Sequence, residues 1–212
     1  MTTNIIVLGA NGMLGNTLFT YFYNKKEFNT IGILRRKESV IKSKFLFSSP
    51  NIYELNSVFD KGLKDKLISF KSDVIINCIG LVKQNPESDN PFSSISINSL
   101  LPHYLNNICN QINARFIQIS TDCVFSGSKG NYRESDNADA NDLYGRSKFL
   151  GEVHNHQSVT LRSSYIGEEL QTCRGLLSWF LSQKKNVRGF KNAIFSGVTA
   201  TEFARIIAKF VI

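Results

Sequence analysis

Three side chains have the types and the spacing to work on a carbonyl group: Thr121, Tyr144 and Lys148. Tyr144 and Lys148 stand four apart in Tyr-Gly-Arg-Ser-Lys, which places both on one side of a helix. A lysine ammonium beside a tyrosine favours the phenolate and draws its pKa toward working pH. Such a tyrosine can give a proton to a carbonyl oxygen during hydride transfer and recover it afterwards, while the lysine can also hold a cofactor ribose. Upstream, Ile119-Ser120-Thr121-Asp122-Cys123-Val124-Phe125-Ser126-Gly127 follows a predicted strand. Ligands of open α/β sheets sit outside the carboxyl ends of the strands, so the Thr121 hydroxyl is placed to bind the same oxygen. A Tyr-x-x-x-Lys pair alone is common by chance. It gains meaning only if the fold brings a cofactor to it.

The cofactor signal is Gly9-Ala10-Asn11-Gly12-Met13-Leu14-Gly15, a GxxGxxG turn directly after an apolar run. Gly9 permits the tight turn, Gly12 lets the backbone approach a pyrophosphate, and Gly15 allows close helix–strand packing. Amide groups of the helix that starts there, Asn11, Met13 and Leu14 among them, then face the phosphates. Three glycines in a loop are often only a turn, but here a strand precedes and a helix follows, as the motif requires. NAD sites usually place a carboxylate about 20 residues further on. This chain offers Ile33-Leu34-Arg35-Arg36-Lys37 instead. Arg35 and Arg36 suit the extra phosphate of NADPH, although a basic loop on a basic protein is the plain reading, and NADH stays open.

These residues need a scaffold of alternating strands and helices, and the pattern supplies one. Apolar runs at 4–8, 30–34, 73–77, 115–119 and 159–161 read as strands, with 44–47 as a further candidate. Helical spacing covers the stretch from the glycine turn to Tyr23, then 57–70, 97–112, 144–155 and 201–211, and Val58, Leu63, Leu67 and Ile68 can form one face of the second. Alternation of this kind specifies a parallel sheet, and unbroken apolar strands specify one covered on both faces. The expectation is α/β: a Rossmann-type doubly wound parallel sheet with helices on both faces. Residues 1–212 read as a single NAD(P)-binding domain, ending inside an amphipathic pattern with no stop signal after it.

Bulk properties narrow the function classes. With 212 residues, 42% hydrophobic and 20% charged, the chain can build one core. The start reads as a strand, not a signal peptide, and no apolar stretch spans a bilayer, so a cytoplasmic protein is expected. Cys78, Cys109, Cys123 and Cys173 lack close spacing and read as reduced thiols, with no structural metal. The net charge of +8 is scattered in short clusters without a nucleic-acid recognition motif, so it reads as solvated surface that also attracts anionic small ligands.

Six pieces, GANGMLG, DVIINCIG, ISTDCVFSG, YGRSK, LRSSYIG and FSGVTATEFARII, run from Gly9 to Ile207 in one order. In these the chain resembles the extended short-chain dehydrogenase/reductases, and within them the dTDP-4-dehydrorhamnose reductase group. The resemblance implies that Thr121 polarises a keto oxygen, Tyr144 is the acid, and Lys148 orients cofactor and tyrosine. It puts Cys78, Ile79 and Gly80 near the cofactor, and Cys123, Val124, Phe125, Arg162 and Ser163 near the nicotinamide or the sugar. It implies an NADPH-dependent reductase of a dTDP- or UDP-linked 4-keto-6-deoxy sugar, serving polysaccharide precursors, with room for a homodimer. Arg162, Arg174, Lys184, Lys185 and Arg188 are candidates for the nucleotide diphosphate. Two departures stand out: the family commonly has tyrosine where this chain has Cys123, and its members continue well beyond Val211, so of the small substrate lobe that the resemblance implies from about 163 only the beginning is expected here. Related dehydratases carry an Asp-Glu pair where this chain has Asp122-Cys123, which argues against elimination. An epimerase and a non-catalytic NADP-binding regulatory subunit remain as alternatives.

Overall fold

The computed structural model describes residues 2–35, 49–59, 61–170 and 175–212. Its centre is a six-stranded sheet in the order β3-β2-β1-β4-β5-β6, every neighbouring pair parallel. The strands are β1 (Thr3–Leu8), β2 (Phe28–Leu34), β3 (Ile52–Glu54), β4 (Val74–Asn77), β5 (Arg115–Ile119) and β6 (Ser158–Leu161). Helices α1 (Met13–Tyr23), α2 (Lys61–Ser69), α3 (Pro91–Ser94), α4 (Leu101–Ile112) and α5 (Leu143–Leu150) connect them. Beyond β6 come β7 (Tyr165–Ile166), α6 (Leu176–Leu181), β8 (Val198–Thr199) and α7 (Ala200–Ile206), with β7 and β8 forming a second, two-stranded parallel sheet.

Strand alternation sorts the core into two layers. Ile5 and Val7 of β1 pack with Leu18, Phe19 and Phe22 of α1 and Phe203 of α7 on one face. Ile6 and Leu8 pack with Leu63 and Leu67 of α2 and Leu101 and Leu105 of α4 on the other. The sheet is therefore covered on both sides, and the expected Rossmann-type doubly wound fold is the observed one. The chain reverses direction across the sheet between β3 and β4, so the loops after β1 and β4 part to opposite faces. The crevice between them, at the carboxyl edge, is where such sheets take ligands.

Several boundaries differ from the sequence reading, each for a local reason. The helix expected over 144–155 stops at Leu150, where the Gly151 N–H turns back to the Lys148 carbonyl. A Cβ on Gly151 would lie 1.9 Å from the Asn98 carbonyl oxygen, so the chain must pass there without a side chain. The helix expected over 57–70 covers Lys61–Ser69, and its Ile68 is 48% exposed while Leu63 and Leu67 are buried. The helix expected over 97–112 starts earlier, at Pro91 under an Asn90 cap, and Ile95–Leu100 winds as a π-helical segment between α3 and α4. The candidate strand at 44–47 lies outside the described residues. The third strand of the described sheet is instead Ile52–Glu54, which pairs with Gly32–Leu34. No helix among the described residues is long and apolar enough to cross a membrane.

Candidate active site

The glycine turn is built by two backbone restrictions. Gly9 sits at a φ of 79°, a left-handed conformation that favours glycine, and its N–H donates 2.8 Å to the Ile33 carbonyl. Gly15 lies on the turn itself, since a Cβ there would stand 2.1 Å from the Gly9 carbonyl oxygen. Gly12 differs: its Cβ position meets only that oxygen, at 3.4 Å, and otherwise opens outward. Gly12 provides no side-chain cap for α1, and no acidic residue stands in the first turn. The unbonded amides of that turn therefore face an open concavity that a phosphate fits. Arg35 follows β2 directly and is exposed, two residues beyond the Ile33 carbonyl that accepts the Gly9 and Ala10 N–H groups, and does not line the cleft described below, whereas Arg36 lies outside the described residues.

The opposite lip comes from the loop after β4. The Cys78 N–H donates 3.0 Å to the Leu8 carbonyl, tying this loop to the end of β1. Buried Asn98, from the π-helical segment, holds the next stretch in both directions. Its Oδ1 accepts the Leu81 N–H at 2.9 Å, and its Nδ2 donates to the Leu81 carbonyl at 3.1 Å and the Ser147 hydroxyl at 3.2 Å. One amide thus joins this loop to α5, the helix of Tyr144 and Lys148.

Helix α5 starts at an Asp142 cap that accepts the Gly145 N–H at 2.7 Å. Burial pushes the Tyr144 phenol up to about 12, against a smaller lowering by the neighbouring Thr121 hydroxyl. Lys148 is 6% exposed and donates 2.7 Å to the Ile119 carbonyl, and burial pulls its ammonium down to about 8. The lowered phenol expected from the Tyr-x-x-x-Lys spacing is therefore not what this structure has. Lys148 is turned toward the backbone of β5, and desolvation governs Tyr144. Thr121 also accepts the Cys123 N–H at 3.1 Å, which folds the chain after β5 into a short 3-10 turn, Asp122–Val124.

One cleft of about 500 Å³ unites these parts. Of the residues expected at a cofactor or substrate, Asn11, Gly12, Met13, Leu14, Gly15, Cys78, Gly80, Thr121, Cys123, Tyr144 and Ser163 line it. Gly9 and Ile79 stand behind that lining, as does Lys148, whose Nζ is 3.7 Å from the Cβ position of Gly80. Three expected substrate residues lie elsewhere. Val124 is fully buried in the core, and Phe125 stacks on Tyr132 with ring centroids 4.4 Å apart. Arg162 is held by Glu152 at 2.7 Å, so its charge is spent inside the protein. Arg174 lies outside the described residues, and Lys184, Lys185 and Arg188 are exposed without lining the cleft.

Sequence spacing gave no sign of the remaining lining. Lys83 pairs with Asp142 at 2.8 Å, its Nζ standing 5.6 Å from the centroid of the Tyr144 ring, and the Asp142 hydrogen bond raises its pKa. Leu176, Leu177 and Phe195 form part of another wall. The only available signal for Lys83 was its place just after the Cys78–Gly80 lip. Among the described residues no three His, Cys, Asp or Glu side chains gather where a metal ion could sit.

Residues 3–185 match the family model described as RmlD substrate binding domain. A probable low-salt glycan biosynthesis reductase of Haloferax volcanii is 27% identical over 165 residues, covering 76% of this chain and 52% of that protein. The methionine adenosyltransferase 2 subunit beta of Bos taurus is 24% identical over 148 residues, 70% of this chain and 41% of that one. The chain thus spans about half the length of the curated relatives it matches. Among solved structures, a hypothetical dTDP-4-dehydrorhamnose reductase from Sulfolobus tokodaii superposes with a TM-score of 0.80 at 25% identity, covering 99% of this chain and 72% of that one. Since the family-model match covers residues 3–185 of the 212, the chain belongs to the RmlD substrate binding domain family.

Proposed function

We propose that the chain carries the NADPH site and the catalytic residues of a reductase acting on a 4-keto-6-deoxy sugar linked to dTDP or UDP. The observation that carries this reading is the shared cleft: the glycine turn and the Thr121–Tyr144 pair line one concavity, so a dinucleotide and a carbonyl substrate can meet there. The bound nicotinamide would supply the hydride. Asn11–Gly15 would hold the pyrophosphate, and Cys78 and Gly80 would flank the cofactor from the other lip. Arg35 would receive the 2′-phosphate, and Cys123 and Ser163 would border the sugar. Residues 1–212 would form one cofactor domain, with the first part of a substrate lobe from about 163.

The acid is Tyr144. A phenol held near 12 keeps its proton throughout the neutral range, which suits a group that must donate to an oxygen gaining charge. The Thr121 hydroxyl, which lines the same cleft, would bind the same oxygen. Lys148, beneath the lip, fixes the Ile119 carbonyl and through it the strand end that carries Thr121.

The test is NADPH consumption with a panel of dTDP- and UDP-linked 4-keto-6-deoxy sugars, run beside Tyr144→Phe. Turnover of one sugar by the natural chain and a loss of about 100-fold or more in the variant support the reading. A second reading has an observation of its own, since one relative is named as a subunit of another enzyme. Tight NADPH binding with no turnover on any sugar would favour that non-catalytic role.

A further inference from the structure

Two successive residues at the end of β5 are each gripped by a different side chain from α5 or the turn after it. Lys148 donates to the Ile119 carbonyl at 2.7 Å, and the Ser120 hydroxyl donates to Glu152 Oε1 at 2.7 Å. Tyr144, Lys148 and Glu152 follow one another at intervals of four residues. Glu152 lies just past the helix, its N–H donating 3.0 Å to the Phe149 carbonyl. Arg162, next after β6, closes on it from the far side. Its Nε donates to both carboxylate oxygens at 2.9 and 3.1 Å, and its Nη2 donates to Oε2 at 2.7 Å. The guanidinium also lies 5.1 Å from the Phe125 ring centroid and 5.9 Å from that of Phe149. Side-chain exposure is only 20% for Arg162 and 12% for Glu152.

We propose that Glu152, clasped by Arg162, is a positioning residue: it holds Ser120 at the cleft and supplies the negative charge that keeps the Lys148 ammonium charged. A buried ion pair contributes little stability that an apolar pair would not, so stability alone is a poor account of it. The groups around Lys148 are the Ile119 carbonyl from β5, the Cys78 thiol after β4, and Glu152. The carbonyl carries no charge. Burial pushes the Cys78 thiol up to about 12, so it is neutral at working pH. Glu152 stands four residues beyond Lys148 and binds Ser120, the neighbour of the residue that Lys148 binds, so its fixed charge is placed to oppose the desolvation of Lys148. The functional consequence rests on the reductase reading, whereas the electrostatic coupling does not.

The experiment is an NMR titration of the whole chain with isotope-labelled lysine, the Lys148 signal being identified by its loss in Lys148→Met. Glu152→Gln keeps a hydrogen-bonding side chain beside Ser120 and removes the charge. It should lower the Lys148 midpoint by about one unit, a tenfold change in the charged-to-neutral ratio. Ser120→Ala, which leaves the charge in place, should not move that midpoint. If an unpaired Arg162 unfolds the single variant, the double variant Glu152→Gln/Arg162→Gln removes both charges and should show the same fall. An unmoved midpoint in a folded variant overturns the proposal. So does failure of the double variant to fold, because the dyad would then be structural. A lowered midpoint in a chain that turns over no sugar would uphold the coupling and count against the reductase reading.

Discussion

At the scale of single residues, burial decides the chemistry more than charge pairing does. Tyr144 and Lys148 are both desolvated, which raises the phenol and lowers the ammonium. The same shift has a consequence for stability. Lys148 titrates near 8 in the folded chain, against an ordinary value of 10.5. Between those values the unfolded chain keeps a proton that the folded chain has given up, so this residue's contribution to stability rises with pH. It is least favourable below about 8, where both states are charged. Lys148→Met should lack this rise. Chemical denaturation of both proteins across that window should show the natural chain gaining on the variant as pH increases, and parallel curves would contradict the burial of Lys148. Arg35 offers a second single-residue test. Arg35→Ala should weaken NADPH about tenfold, the scale of one charge-assisted bond, and leave NADH unchanged in calorimetric titration. Equal losses for both would remove Arg35 from the 2′-phosphate.

At the scale of elements, the glycine turn separates packing from ligand approach. Gly15→Ala forces a Cβ to 2.1 Å from the Gly9 carbonyl, so α1 must shift. The expected loss is about 1–3 kcal/mol or more, read as a lower midpoint in urea. Gly12→Ala meets only one contact at 3.4 Å and should leave the fold near its natural stability while weakening NADPH at least about tenfold. If Gly12→Ala instead unfolds the chain, or binds NADPH normally, the phosphate is not held at that position. The main elements were legible in the sequence because their signals are local. The 115–119 run is β5, and the glycine turn lies between β1 and α1 as expected. What failed to show was long-range. The end of α5 at Gly151 depends on the Asn98 carbonyl, 53 positions earlier in the chain. The short strands β3, β7 and β8 have two or three residues each, too few for any periodicity to register.

At the scale of the whole molecule, sheet order brings together what the sequence keeps apart. Thr121 and Tyr144 were legible as a pair because a strand end and a helix face both have patterns. Lys83 and the 176–195 wall were not, since irregular loops carry no period that fixes where they point. Arg162 looked like an anion site by charge, yet the fold gave it to Glu152. The net charge of +8 also acts globally. NADPH is a polyanion, so its dissociation constant should rise steadily with added salt. Affinity independent of salt would mean that the surplus charge has no part in binding.

The most direct measurement follows the hydride itself. The chain would be mixed with NADPH deuterated at the transferring position and with the nucleotide sugar that gives turnover, and the product examined by NMR. The account predicts deuterium at C4 of the sugar, formed by the natural chain and absent with Tyr144→Phe. Deuterium at C4 at equal rates in both proteins would remove Tyr144 from its role as the acid. NADPH bound in the cleft with no deuterium delivered to any sugar would contradict the claim that this site is a reductase centre.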